Sequence, residues 1–318
     1  MPKTKTTKLS VIIPAKNEAE NITPLYKELA TALSPLHLVW EVIFIDDGST
    51  DQTLAKLKAL HERHPEIKVI SFRGNFGKSA ALQAGFNLAK GNIIITLDAD
   101  LQDNPKEIPR FLKIIKHEDC DLVTGWKKSR HDPFFSKVLP SRIINKLTSL
   151  LTGINLHDIN CGFKAYRQEV VKDLNLYGEL YRFIPVLAAK QNYKIVETPV
   201  THRPRVKGQS NFGWTRGIKG LLDLLTVIFL TGYLRRPAHF FGTLGLVSSA
   251  IGFAIGLYIT YLRITTGTIQ YRTPLLFLGI LLTIIGIQLF TTGLLAEMLL
   301  NINQKPNTVD KYIKSTLT

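Results

Sequence analysis

Apolar residues fall in short, punctuated runs over the first hundred positions and in two long unbroken runs near the end. Residues 9–14 (LSVIIP), 41–45 (EVIFI), 67–72 and 92–97 (NIIITL) are brief and rich in β-branched side chains, the pattern of strands buried on both faces. Between them, 19–33, 53–63 and 79–90 carry mixed polar and apolar residues at helical spacing, and Gly91 stands where a helix C′ residue is expected. Alternating strand and helix predicts an α/β domain with a mostly parallel sheet covered by helices. Ligands of such sheets collect beyond the carboxyl ends of the strands. The polar clusters fall there, at 14–18, 46–51, 73–78 and 98–103.

The two long runs have another character. Residues 237–262 and 273–296 contain no Lys, Arg, Asp or Glu, and each exceeds the roughly 20 apolar residues that a membrane-crossing helix needs. Two buried helices of a soluble core are the alternative, which runs this long and uncharged disfavour. Glycines at 245, 252 and 256, and at 279, 286 and 293, place a small-residue stripe on each run. Such stripes suit helix pairing within the hairpin or a homo-oligomer, although glycine is also simply common in membrane helices. The predicted organisation is an α/β domain over 1–213, an amphipathic juxtamembrane helix over 214–236, two transmembrane helices within 237–300 (about 237–262 and 274–296) and a tail over 301–318.

Charge then orients the chain. The 318 residues carry 40 Lys and Arg against 25 Asp and Glu, a formal +15, which favours anionic partners. Arg235 and Arg236 precede the first span and three lysines follow the second, whereas the intervening loop holds only its bounding Arg263 and Arg272. The positive-inside rule then puts the α/β domain and both termini in the cytoplasm. The lysine-bearing N-terminus lacks the apolar segment of a signal peptide, and two cysteines, Cys120 and Cys161, fit a reducing compartment. Basic stretches at 127–146 and 202–236 interleave apolar residues at helical spacing, so they suit either a bilayer interface or a helix packed on the core. A nucleic-acid partner is not expected, since no recognition module accompanies the charge.

The sharpest chemical feature is Asp98-Ala-Asp-Leu-Gln-Asp103 after the fourth strand. Two carboxylates there can hold Mg²⁺ or Mn²⁺ while leaving positions for phosphate oxygens. A departing diphosphate needs such a cation to offset its charge. Residues 73–79 (RGNFGKS) resemble a phosphate loop only superficially, because Phe72 stands where the first glycine of that motif belongs. Arg73 and Lys78 remain candidates for phosphate contact, a solvated basic turn being the alternative.

Together, residues 10–18 (SVIIPAKNE), 45–51 (IDDGSTD) and 98–103 with Pro105 resemble inverting family 2 glycosyltransferases of the GT-A fold, a Rossmann-like architecture. Residues 158–167 (DINCGFKAYR) and 205–210 (RVKGQS) narrow the resemblance to the polyprenyl-phosphate branch, which includes dolichol-phosphate mannose synthases and bacterial GtrB-type glucosyltransferases. The resemblance implies that Pro14, Ala15, Asn17 and Glu18 line a nucleoside pocket and that Asp46 or Asp47 reads the base. It implies that Asp98 faces nucleotide and sugar, with Asp98, Asp100 and Gln102 at the metal, and that Arg205 and Ser210 close over the diphosphate. Asn211 departs from the lysine common after that serine. Asp158 is implied as catalytic base; since a phosphate monoester has a second pKa of about 6, an acceptor-orienting role is equally open.

The implied reaction is inverting transfer of a hexose from a nucleotide sugar, UDP-glucose by the GtrB-like layout, to an undecaprenyl-type phosphate at the cytoplasmic face of the bilayer. Mannose from GDP-mannose is the alternative. A processive polysaccharide synthase is disfavoured because the chain lacks Gln-x-x-Arg-Trp, and a non-catalytic anchor is disfavoured by the intact acidic motif.

Overall fold

The structure, a computed structural model, describes residues 9–128, 149, 153–203, 237–269 and 271–303. The chain divides into two units, Met1–Val227 and Ile228–Thr318. Arg205, Ser210, Asn211, the 214–236 helix, most of the 127–146 stretch and the tail beyond 303 lie outside the described residues.

In the first unit, β1 (Leu9–Ala15), α1 (Ala19–Leu33), β2 (Trp40–Asp46), α2 (Thr53–Arg63), β3 (Ile67–Ser71), α3 (Lys78–Leu88) and β4 (Ile93–Thr96) alternate as the pattern predicts. Then come α4 (Ile108–His117), β5 (Leu122–Trp126), β6 (Lys164–Arg167), α5 (Gln168–Asp173), α6 (Ile184–Lys190) and β7 (Ile195–Pro199). One seven-stranded sheet results, in the order β3-β2-β1-β4-β6-β5-β7.

The sheet is buried on both faces because successive strand residues point oppositely. Leu9, Val11, Ile13, Val42, Phe44, Ile93 and Ile95 join one core with Ile22, Leu25 and Leu29 of α1 and Phe111 and Leu112 of α4. On the other face, Ile12 and Ile45 receive α3 so closely that a Cβ at Gly85 would lie 2.5 Å from Ile12 Cγ2. Gly91 is not the C′ residue of α3. The helix stops at Leu88 with Ala89 already extended, while Gly91 lies against β1 and donates to Ser10 Oγ at 2.8 Å.

Strand β6 decides where the site lies. It runs antiparallel to β4, with Thr96 opposite Lys164, and antiparallel to β5, with Thr124 opposite Lys164. The reversal carries the segment just before β6, including Asp158, to the carboxyl end of β4. Strand β7 pairs parallel with β5 and puts Glu197 opposite Thr124.

The second unit is a helical hairpin of α7 (Pro237–Thr266) and α8 (Thr273–Asn303). Both helices are long and apolar enough to cross a membrane, and most of each helix surface is exposed. The glycine stripes face each other inside the hairpin. A Cβ at Gly245 would lie 2.5 Å from Gly286 O, and one at Gly252 would lie 2.5 Å from Gly279 O. Gly256 alone in the first stripe faces open space, and the other stripe glycines pack within the hairpin. Glu297 Oε2 accepts the main-chain N–H of Ala238 at the start of α7 (3.3 Å).

Candidate functional site

Four loops meet at the carboxyl edge of β1, β2, β3 and β4. The first two are laced together. Asn17, at φ 55°, donates its N–H to Ser49 Oγ (2.9 Å) and accepts from Thr50 N (2.8 Å) through Oδ1. The Glu18 N–H donates to Thr53 Oγ1 (2.9 Å), and the Ala19 N–H to Asp51 Oδ2 (3.2 Å). Burial alone would raise the Asp51 pKa, but its hydrogen bonds from Thr53 and Ala19 outweigh that and lower it. Asp47 N donates to Ala15 O (2.9 Å), continuing the β1–β2 pairing into the loops. Pro14 and Ala15 close β1 at this edge, so the residues implied for the nucleoside pocket form one rigid rim.

Asp46 and Asp47 are both buried, and the protein itself engages both carboxylates. Asp46 accepts from Ser49 N and from Ser71 Oγ, each at 3.2 Å. Asp47 accepts from Phe76 N (2.7 Å) and from Gly77 N (3.0 Å to Oδ2). The amides that a phosphate loop would turn toward phosphate are therefore already committed to Asp47. Gly48, at φ +65°, touches the same loop; a Cβ there would lie 2.7 Å from Gly74 Cα, so no side chain fits.

Lys78 opens α3 and donates to Asp98 Oδ1, an ion pair in which both side chains are about 30% exposed (28% and 31%). Burial works against both charges, but their mutual attraction prevails. The Lys78 pKa rises and the Asp98 pKa falls, the latter helped by Lys127. Asp98 therefore stays anionic. Its carboxylate lies against the main chain of Gly162, where a Cβ would come within 2.7 Å of Oδ2.

Leu101, at φ 61°, turns the acidic loop sharply. Asp100 Oδ1 accepts from Gln102 N (3.2 Å), and Gln102 Nε2 donates to Arg203 O (3.3 Å). Arg203 N returns a bond to Gln102 O (2.9 Å), and its guanidinium grips Glu28 (2.9 and 3.0 Å) and Asn104 (2.8 Å). The chain leading to 205–210 is thus tied to the acidic loop. Asp103 is buried; desolvation raises its pKa and Asp98 adds to the rise, against the pull of Lys127 3.9 Å away.

Three features escape sequence reasoning. Lys127 begins a basic stretch for which a bilayer interface and packing on the core were both open, and its side chain points inward, 16% exposed, toward Asp103, Asp98 and Asp158. Lys164 is buried on β6 and donates to Cys161 O; burial lowers its pKa to about 8. Burial likewise pushes the Cys161 thiol up to about 12, which leaves it unreactive. Glu197 accepts the N–H of Asp158 (2.8 Å) and of His157 (3.1 Å), while the His157 ring stacks on Trp126 at 4.2 Å. Asp158 itself is buried and interacts electrostatically with Lys127 and Lys164. A lysine or glutamate in a short strand gives no sequence sign of burial.

A carboxylate cluster backed by three lysines, at the edge of a mostly parallel sheet, can hold and neutralise a phosphorylated ligand. Residues 10–174 match the family described as glycosyl transferase family 2. The chain belongs to that family. This family 2 glycosyltransferase is 38% identical over 308 residues to the dodecaprenyl-phosphate galacturonate synthase of Rhizobium johnstonii, covering 96% of this chain and 91% of the relative. It is 36% identical over 293 residues to the undecaprenyl-phosphate 4-deoxy-4-formamido-L-arabinose transferase of Salmonella typhimurium, covering 91% and 87%. The fold is that of GT-A enzymes. Glucosyl-3-phosphoglycerate synthase of Mycobacterium tuberculosis, solved with Mn²⁺, UDP-glucose and phosphoglyceric acid, superposes with a TM-score of 0.53 at 22% identity, covering 70% of this chain and 80% of that one.

Proposed function

We propose that this glycosyltransferase moves a sugar from a nucleoside diphosphate donor to a polyprenyl phosphate. A phosphate oxygen attacks the anomeric carbon, the bond to the diphosphate breaks and the configuration inverts. The observation that carries the reading is the convergence of Asp98, Asp158, Lys78, Lys127 and Lys164 on one sheet edge, in a chain similar along its whole length to two polyprenyl-phosphate transferases.

Pro14, Ala15, Asn17 and Glu18 line the nucleoside side of the cleft, and Asp46 or Asp47 reads the base in this reading. Asp98 faces the nucleotide sugar. Arg205 and Ser210 act on the diphosphate. Asp158 orients the acceptor or takes up its remaining proton; a phosphate largely ionised at neutral pH, with a second pKa of about 6, needs no strong base. Lys127 and Lys164 offset the charge of two phosphorylated substrates brought together, which removes much of the encounter penalty.

A divalent cation fits the acidic loop. Asp98 and Asp100 offer hard oxygen donors, Asp98 is held in its anionic form, and Gln102 adds an amide oxygen. When bound, Mg²⁺ or Mn²⁺ would offset charge on the leaving diphosphate. The Mn²⁺ and UDP-glucose in the mycobacterial neighbour support this pairing.

The two apolar helices cross the membrane in this reading, with the catalytic unit and both termini on the cytoplasmic side. The GtrB-like layout points to UDP-glucose, whereas the relatives carry galacturonate and a formamido-arabinose. UDP-galacturonate therefore joins UDP-glucose at the head of the donor panel, ahead of GDP-mannose. The test measures nucleoside diphosphate release by the full chain in detergent with undecaprenyl phosphate and each donor, in Mg²⁺, Mn²⁺ or EDTA. Metal-dependent release with at least one donor, lost in Asp100→Ala, is expected. Failure with every donor, or an unimpaired Asp100→Ala enzyme, overturns the reading.

A further inference from the structure

Asp47 sits in the motif from which a base-reading carboxylate is expected, yet its oxygens face the other way along the chain. Both accept from the loop that opens α3. Phe76 N lies 2.7 Å from Oδ1, and Gly77 N lies 3.2 Å from Oδ1 and 3.0 Å from Oδ2. The Asn75 amide, turned to satisfy both of its neighbours, donates to Oδ2 (2.8 Å) and accepts from Lys16 Nζ (2.6 Å). Gly48 and Gly74 interlock beside these bonds, and Phe72 N donates to Asp46 O (2.9 Å). Asp47 is only 6% exposed, so these bonds are shielded from water and none is easily replaced.

The next residue after this anchored stretch is Lys78. Its ammonium pairs with Asp98 and lies 5.1 Å from the centre of the Tyr181 ring, while Ser79 Oγ accepts from Tyr181 N (3.0 Å). A carboxylate just beyond β2 thus fixes the start of a helix whose first side chain meets a carboxylate just beyond β4. The negative charge also lies at the N-terminal end of α3, where the helix dipole favours it.

We infer that Asp47 is a positioning residue: it clamps the Asn75–Gly77 main chain so that Lys78 is held on Asp98, and it acts on the donor site through that ion pair rather than by touching the nucleobase. The inference rests on the reading of Asp98 as facing the nucleotide sugar. It removes Asp47 from the base-reading role that sequence reasoning left open between Asp46 and Asp47.

Asp47→Asn keeps the volume but replaces one acceptor oxygen with an amide that faces N–H groups. Amide hydrogen exchange of the full chain in detergent should show the peptide spanning 73–80 exchanging about tenfold faster in D47N, with Lys78→Met unchanged there. Unchanged exchange in D47N overturns the clamp. Asn75→Ala, which removes one donor and leaves the carboxylate in place, gives the same direction with a smaller effect and serves if D47N does not fold.

Calorimetric titration with UDP and GDP completes the test on the parent, D47N, K78M and the double variant. Each single change should weaken UDP binding about tenfold, with the double no weaker than the worse single, the mark of two residues acting as a unit. Additive losses, or a D47N-specific shift in preference between UDP and GDP, overturn the inference in favour of direct contact. A parent that binds neither nucleotide defeats the proposed function, while the exchange measurement still decides the clamp.

Discussion

The carboxylate of Glu197, in β7, accepts the main-chain N–H of Asp158 at 2.8 Å and so fixes the turn that presents Asp158 to the lysine cluster. Its second oxygen accepts from His157 N at 3.1 Å and lies 2.7 Å from His157 Nδ1. Glu197→Ala removes the acceptor of both main-chain N–H groups, at a cost of about 1–3 kcal/mol for the shielded one at Asp158. The expected outcome is at least a tenfold loss in kcat with a modest change in donor KM. His157→Ala keeps both main-chain bonds and should lose far less. Steady-state kinetics of the two variants, with melting temperatures as a fold control, check the ranking.

Lys78 compensates Asp98 beside the phosphate-facing edge. Without it, Asp98 keeps a negative charge that repels the donor diphosphate. Lys78→Met should therefore raise donor KM about tenfold, roughly the weight of one partly buried charge-assisted contact. Lys78→Arg should recover part of that loss because the charge returns with a different reach. Equal KM values in all three proteins would remove the ion pair from the donor site.

The hairpin offers a test with its own control. Gly286 packs on Gly245 O, 2.5 Å from where a Cβ would sit, and on Ser249 N at 2.6 Å, whereas a Cβ at Gly256 meets nothing within 4 Å. Close backbone approach is what small residues supply to helices packed in lipid. Gly286→Val should force α7 and α8 apart and lower the melting temperature in detergent by several degrees. Gly256→Val should leave it within about a degree, as surface changes away from packing usually do. A comparable loss in both variants would mean that the stripe is not what holds the pair.

Much of this was legible because it is local in sequence. Each of β1 to β4 and the polar turn after it are contiguous, so alternation and β-branched runs located both the sheet and its carboxyl edge. Asp98 and Asp100 stand two residues apart and announce themselves. Lys164 and Lys127 do not, since their burial depends on β6 reversing direction between β4 and β5, a choice made by tertiary pairing. The Asp47 clamp spans 29 and 30 residues, and the Glu197 bond to Asp158 spans 39, so neither leaves a local trace. Gly91 misled for a related reason: its lack of a side chain serves contact with Ser10, 81 residues away, rather than the end of a helix.

Lys164 gives a pH prediction with a definite sign. Its folded pKa, about 8, lies below the ordinary lysine value of 10.5 because burial disfavours the ammonium. Between those two values the unfolded chain binds more protons than the folded one, so this residue makes stability rise with pH across that window. Below about 8 both states are protonated and the folded protein bears the full cost of a buried charge. Lys164→Met removes that cost. The variant's stability relative to the parent should therefore be greatest near pH 7 and should shrink steadily as pH rises from about 8 toward 10. Thermal melting of both proteins across pH 6 to 10, taken as a difference to cancel every other titrating group, makes the measurement. A difference that stays flat, or that grows with pH, would mean that the surrounding Asp98 and Asp158 carboxylates stabilise the buried ammonium at least as much as burial disfavours it.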